Sequence, residues 1–499
     1  MNDMFSRRKF LAGSAAAVAL FGAPACANAP SQSLRPVVRP AGGRATTAPA
    51  IDALIGKAQL GGDVVFAVAD AQTGSLLEVR DPQRGLPPAS VVKALTAIYA
   101  LDTLGPAHRF ETRLIATGPV QNGILSGDLV LAGGGDPVLD TDGLAEMAAS
   151  LKAVGIREVR GRFLVWGGAL PYARVIDDSQ PDHVGYNPAV SGLALNNNRV
   201  HFEWKRNGQG YGVTMDARTA RYRPDVRMAR MSVVARDLPV YTYRDAQGSD
   251  EWTVAQSALG NGGARWLPVR RPEVYAGEVF RILAGSQGIR LPAEEVVRNM
   301  PGGTAVVRRQ SPPLTEILRD MLRYSTNLTA EMVGLATTQV SGAQAGSLAA
   351  SAAVMNRWAN GALGMSSAAL VDHSGLGDRS RLAAADMVAA LVRARRQGLL
   401  PDILRDFPMK DDNGRTVSSH KIKVSAKTGT LNFVSGLAGY MTRENGKPLA
   451  FAIFVADVPR RENIPRAERE RPAGAQGWNR RAKTLQQNLI ERWGVLYST

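Results

Sequence analysis

The stretch LPPASVVKALTAIYAL, Leu86 to Leu101, carries a Ser90-Val91-Val92-Lys93 step where a buried helix is expected over residues 90–103. Two readings compete for it. In one, Ser90 caps the helix and Lys93 is solvated. In the other, Ser90 is a nucleophile and Lys93 its base. Positions i and i+3 share a helix face, and the helix start favours developing negative charge. Burial, or a second cation nearby, leaves a lysine neutral enough to take a proton. A lone SxxK favours the cap. Lys93, however, sits among Val92, Ala94 and Leu95, an odd place for a solvated lysine.

The surrounding chain has 499 residues, room for two or three domains or one large domain with insertions. Its 45% hydrophobic and 21% charged content is that of a globular protein, which excludes disorder throughout and a membrane-spanning bundle. Residues 1–27 have the basic start, apolar run and small-residue end of a secretory signal, and Arg7-Arg8 ahead of Phe10-Leu11 fits the twin-arginine (Tat) type. The expectation is an exported, periplasmic protein cleaved after Ala27. A lipoprotein anchor at Cys26 is the weaker reading. Cys26 is the one cysteine, so neither disulfides nor thiol catalysis are expected.

The net charge is +16; the signal holds Arg7, Arg8, Lys9 and Asp3, so cleavage would leave +14. The arginines are scattered, so a solvated basic surface competes evenly with contact to an anionic wall polymer or membrane. Nucleic acid is not expected outside the cytoplasm. The histidines, His108, His183, His201, His373 and His420, show no zinc-ligand spacing, and no metal or cofactor is expected.

Residues 28–50, rich in Pro and Ala with no apolar period, read as a flexible leader. Val64, Phe66 and Val68 then alternate up to a Gln72-Thr73-Gly74-Ser75 turn, a β-hairpin. From 111 to 292 short alternating runs are cut by Gly and Asn, which suggests a β-rich insertion with an occasional helix such as 141–154. Helical periodicity returns at 314–338, 345–360 and 384–398. Strands follow at 421–428, 433–441 and 448–457, and a last helix begins near Trp478. A core built from both ends, 51–110 with 293–499, is therefore expected, with 111–292 inserted into it.

Two more stretches carry chemistry. Ser325-Thr326-Asn327 lies in a turn between helical segments, where hydroxyl and amide can point one way. The bland alternative is a cap or Asx turn. Lys427-Thr428-Gly429-Thr430 ends a strand; a strand glycine marks close approach by a ligand or another backbone, and Lys beside Thr can hold a carboxylate. Each signal is weak alone. In the order SxxK, SxN, KTG they are the three elements of penicillin-binding proteins and serine β-lactamases.

On these motifs the chain resembles the D-alanyl-D-alanine carboxypeptidase/endopeptidases of the low-molecular-mass class C penicillin-binding proteins. Lys93 and Ser325 are 232 positions apart, and that family is similar in carrying a large insertion of two domains there. GGGDPVL (133–139), LALNNN (193–198) and AKTGTLNFVSGLAGY (426–440) add to the likeness. The resemblance implies an α/β (α+β) transpeptidase-like fold, an antiparallel sheet flanked by helices. It implies peptidoglycan stem peptides ending in D-Ala-D-Ala as substrate and β-lactams as covalent inhibitors. Ser90 would be the nucleophile, Lys93 its base, Ser325 a proton relay and Asn327 an orienting amide. Lys427 with Thr428 and Thr430 would bind the carboxylate, and the N–H groups of Ser90 and Thr430 would form the oxyanion hole. One departure stands out: Asp372-His373-Ser374-Gly375-Leu376 has His373 where the family usually has glycine. A β-lactamase, or a non-catalytic wall-binding protein of the same fold, remains as an alternative; the insertion and Ser325 count against the first, the complete motif set against the second. The oligomeric state is open.

Overall fold

The computed structural model describes residues 48–411, 414–443 and 446–497. The expected signal, and the leader up to residue 47, lie outside the described residues.

The two ends of the chain build one five-stranded antiparallel sheet, in the order Ile422–Leu431, Val434–Arg443, Pro448–Ala456, Asp63–Asp70, Leu76–Arg80. The hairpin turns where Asp70 Oδ1 accepts the N–H groups of Gln72 (2.8 Å) and Thr73 (2.7 Å) and Gly74 takes φ 80°. Side chains alternate across a strand, so the central strands feed two cores. Val64, Phe66, Val68, Phe451, Ile453 and Val455 face the helices Ile51–Ala58 and Ala475–Leu496, with Trp478 and Trp493 fully enclosed there. Val65, Ala67, Ala69, Ala450, Ala452 and Phe454 face the helices Val92–Leu104, Leu314–Tyr324, Asn327–Val340, Leu348–Leu363 and Ala384–Arg396. Each large apolar side chain so enclosed contributes about 1.5–3 kcal/mol.

The helical run expected over 314–338 is two helices. Ser325 adopts φ 58°, ψ 38° after Tyr324, which ends the first helix, and Asn327 opens the second. A left-handed residue cannot continue a right-handed helix.

The inserted block has its own apolar core. Its main sheet runs Glu294–Val296, Phe163–Trp166, Leu129–Gly133, Glu111–Ala116, Thr304–Gln310, and mixes parallel and antiparallel pairs. The helices Thr141–Ala153 and Pro272–Ser286 send Leu144, Leu151, Val279 and Phe280 into that core. Two three-stranded sheets, one centred on Arg199–Asn207 and the other on Ser249–Ala255, contribute Phe202 and Trp252 to it. The block's strand pairing thus continues to Gln310, past the boundary at 292 read from texture: both late strands pair with strands laid down before residue 170.

Candidate active site

Ser90 sits in a single 3-10 turn, Ala89–Val91, just ahead of the helix Val92–Leu104. It does not cap that helix, whose N-cap is Val91 with no side-chain cap bond. Ala89, immediately before it, has φ 47°, a conformation that costs an alanine about 1–2 kcal/mol. Neighbouring glycines leave room for this backbone. A Cβ on Gly375 would lie 1.9 Å from Ala89 O, and one on Gly429 would lie 2.7 Å from Pro88 O and 3.0 Å from Ser90 N. The Pro88–Ser90 backbone is therefore what approaches the glycine of the KTG strand.

Lys93 is fully buried. Its Nζ lies 3.0 Å from Ser90 Oγ, 2.7 Å from Asn327 Oδ1 and 2.7 Å from Ser374 O. Burial first, then repulsion from Lys427, pushes its pKa from 10.5 down to about 7, against the opposing pull of Asp372 and Glu331. A neutral amine has two N–H donors and one lone pair. With the donors spent on Asn327 Oδ1 and Ser374 O, the lone pair is left for the Ser90 hydroxyl. That is the arrangement of a general base beside its nucleophile.

The turn between two helices places Ser325 and Asn327 over the same spot. Ser325 Oγ accepts from Lys427 Nζ at 3.0 Å, and Lys427 also donates to Thr428 O at 2.8 Å. Lys427 is almost wholly buried, and burial followed by repulsion from Arg405 lowers its pKa to about 8. Asn327 bridges two parts of the chain: its Oδ1 accepts from Lys93, and its Nδ2 donates to Tyr186 O of the inserted block at 2.9 Å. Thr428 and Thr430, two apart on one strand, share a side of it. Thr430 lines the cleft and Thr428 is exposed.

The cleft above these groups has a volume of about 290 Å³, and Ser90, Ser325, Asn327 and Thr430 line it. Gln180 and Tyr186 from the insertion, and Arg461, Arg469 and Glu470 from near the C-terminus, form further walls. Asp378 holds both arginines, Arg469 at 2.8 Å and Arg461 at closer range. None of these wall residues belongs to a motif, so the local sequence carries no signal for them. Among the described residues no group of three or more His, Cys, Asp or Glu is placed to hold a metal ion.

Beneath Lys93 lies a buried acidic pair. Asp372 accepts the N–H groups of Gly375 and Gly377, both at 2.6 Å, and Glu331 Oε2 accepts that of His373 at 3.1 Å. Burial, then the Asp372 charge, raises Glu331 to about 8; burial also raises Asp372. Sequence reasoning passed over Glu331, which looks like any polar position on a helix. His373 is packed, not solvent-facing. Its Nε2 lies 2.8 Å from Ser351 Oγ, its carbonyl accepts from Thr96 Oγ1 at 2.7 Å, and burial lowers its pKa to about 3. Its ring occupies the space above Gly334, where a Cβ would sit 2.1 Å from the ring Cγ.

Known proteins resemble this chain in sequence and in fold. The sequence pattern of the D-Ala-D-Ala carboxypeptidase 3 (S13) family matches residues 47–476. A D-alanyl-D-alanine carboxypeptidase of Actinomadura sp. is 28% identical over 435 residues, covering 81% of this chain and 79% of the relative. The D-alanyl-D-alanine carboxypeptidase DacB of Haemophilus influenzae is 24% identical over 402 residues, covering 74% of this chain and 80% of the relative. The crystal structure of penicillin binding protein 4 from Haemophilus influenzae superposes with a TM-score of 0.69 at 20% identity, covering 82% of this chain and 93% of that one, and so shares its fold.

Proposed function

The chain belongs to the D-Ala-D-Ala carboxypeptidase 3 (S13) family, and from that premise we propose that its cleft cuts D-Ala-D-Ala peptides by acyl transfer through Ser90. The enzyme is a serine-type D-Ala-D-Ala carboxypeptidase. One observation carries the assignment of roles: Lys93 Nζ stands between Ser90 Oγ and Asn327 Oδ1, while Lys427 Nζ stands against Ser325 Oγ.

Ser90 Oγ attacks the carbonyl carbon between the two D-alanines and its proton passes to Lys93 Nζ. The N–H groups of Ser90 and Thr430 hold the oxyanion; losing one such donor typically costs about 100- to 1,000-fold in rate. Ser325 then delivers a proton to the leaving nitrogen, the C–N bond breaks, and the terminal D-alanine departs. Lys427, with Thr428 and Thr430, holds its carboxylate. Water hydrolyses the Ser90 ester and returns the enzyme. The same steps on an amide joining two stem peptides are a DD-endopeptidase reaction, and a β-lactam follows them as far as the ester. The signal expected over residues 1–27, of the Tat type, supports a site of action outside the cytoplasm.

Incubation with labelled penicillin, intact mass measurement and peptide mapping test this reading. A single adduct on Ser90 is expected, absent from Ser90→Ala. No mass shift, or an adduct on another serine, overturns it. Cross-linked muropeptides left whole while a D-Ala-D-Ala peptide is cut would remove the endopeptidase part.

A further inference from the structure

Two loops separate the catalytic cleft from a second cavity. Gln180, Tyr186, Arg469 and Glu470 line the cleft; Asp182, His183, Arg466 and Glu470 line a neighbouring cavity of about 460 Å³. Glu470 is common to both. The loops are tied together across the partition. His183 Nε2 lies 2.7 Å from Glu470 Oε2, Arg265 Nη2 donates to Glu470 Oε1 at 2.8 Å, and Arg466 Nη2 lies 3.2 Å from Asp182 Oδ1. The volume falls in the range of about 300–1,000 Å³ common for small-ligand sites.

The walls present both signs of charge beside an apolar surface. Arg466 and Asp182 keep 52% and 35% of their side chains exposed, and Leu238, on the same cavity, is 78% exposed. A ligand with an ammonium, a carboxylate and short apolar groups, which is a peptide, finds a partner for each. A sugar does not fit as well. Sugar binding favours an open aromatic face, whereas the Tyr241 ring is stacked on His183 at 4.9 Å and carries the Arg265 guanidinium over it at 4.9 Å. Trp252, the other aromatic wall, is 1% exposed.

We propose that this second cavity binds the distal stem of a cross-linked peptide pair while the scissile carbonyl sits at Ser90. The proposal rests on the Ser90 reading above. It assigns the inserted block a role in substrate selection: that block supplies Asp182, His183, Leu238 and Tyr241 to the second cavity, so a short peptide reaches Ser90 without entering that cavity and a branched one engages it.

The test uses Leu238→Asp and Arg466→Glu in the full chain, with a sugar-free cross-linked stem-peptide dimer, a disaccharide-bearing dimer and a short acyl-D-Ala-D-Ala peptide. Each variant should lower kcat/KM for the sugar-free dimer by roughly tenfold, mainly through KM, the loss expected from one charge-assisted or apolar contact. Cleavage of the short peptide and penicillin acylation should stay within about twofold of wild type. An unchanged dimer rate in both variants overturns the proposal, and so does an equal fall for the short peptide. A wild-type enzyme that cuts the short peptide and leaves the dimer whole overturns it too. An effect seen only with the disaccharide-bearing dimer would assign the cavity to glycan instead. A wild-type protein that neither cuts the short peptide nor acylates at Ser90 would sink the underlying reading, a distinguishable result.

Discussion

Removing the charge of Lys427 should move the acid limb of Ser90 acylation to higher pH. Lys93 is brought from 10.5 to about 7 by burial first and by Lys427 second. The whole fall corresponds to about 5 kcal/mol in favour of the neutral amine. An ordinary lysine is neutral in roughly one molecule in a few thousand at pH 7, whereas Lys93 is neutral in about half. The environment therefore supplies on the order of 1,000 times more active base. Lys427, at about 8, still carries its charge where Lys93 titrates. The rate constant for acylation by labelled penicillin should rise about tenfold per pH unit below the Lys93 midpoint, level off, then fall as Lys427 loses the charge that holds the ligand carboxylate. In Lys427→Met the alkaline limb should vanish and the plateau should drop. The acid midpoint should rise, because the remaining influences on Lys93 besides burial, Asp372 and Glu331, favour its charged form. Quenched time courses between about pH 5 and pH 10 read both limbs. A wild-type profile flat across neutrality, or an acid midpoint that falls in the variant, would refute the reasoning.

Asn327→Ala removes the acceptor of Lys93 Nζ and the donor to Tyr186 O; acylation should fall about 100-fold with a folded protein by circular dichroism, and a near-wild-type rate would count against its orienting role. Gly334→Ala drives a Cβ to 2.1 Å from the His373 ring and should cost about 1–3 kcal/mol of stability in a urea melt. Adding His373→Gly to that variant should recover part of the loss; an unchanged melt in the single variant contradicts the packing. His373 itself titrates at about 3 when folded against 6.5 when free. Protons bind its unfolded form first, so its contribution is complete above about pH 6.5 and is lost as pH falls towards 3. Between pH 7 and 5 the wild type should lose about 2 kcal/mol more stability than His373→Gln, and equal losses would disprove a buried neutral ring.

Much of the catalytic domain was legible before any coordinate. The hairpin of Asp63–Asp70 with Leu76–Arg80, the three closing strands and the last helix follow from period-2 and helical patterns, which are local properties of the chain. Periodicity names an element without naming its partners. It could not place Glu294–Val296 and Thr304–Gln310 in the inserted block's sheet, because their pairing is with strands far earlier in the chain. A turn at Ser325-Thr326-Asn327 was readable, but periodicity carried neither the left-handed conformation of Ser325 nor the contact of its Oγ with Lys427 Nζ.

The sequence by itself determined which groups could react: a serine three before a lysine, a Ser-x-Asn turn, a Lys-Thr-Gly strand, in that order. Those are choices of residue type and spacing, written locally. Whether Lys93 is neutral enough to serve as the proposed base depends on the tertiary structure. A lysine's proton affinity depends on how much water reaches it and which charges surround it. Burial, Lys427, Asp372 and Glu331 set both, and all three charged neighbours lie more than 200 positions down the chain. Space for the Ser90 backbone came the same way, from Gly375 and Gly429. The cleft wall came from Gln180, Tyr186 and Glu470. Dielectric and shape are properties of the folded neighbourhood, and no stretch of sequence carries them alone.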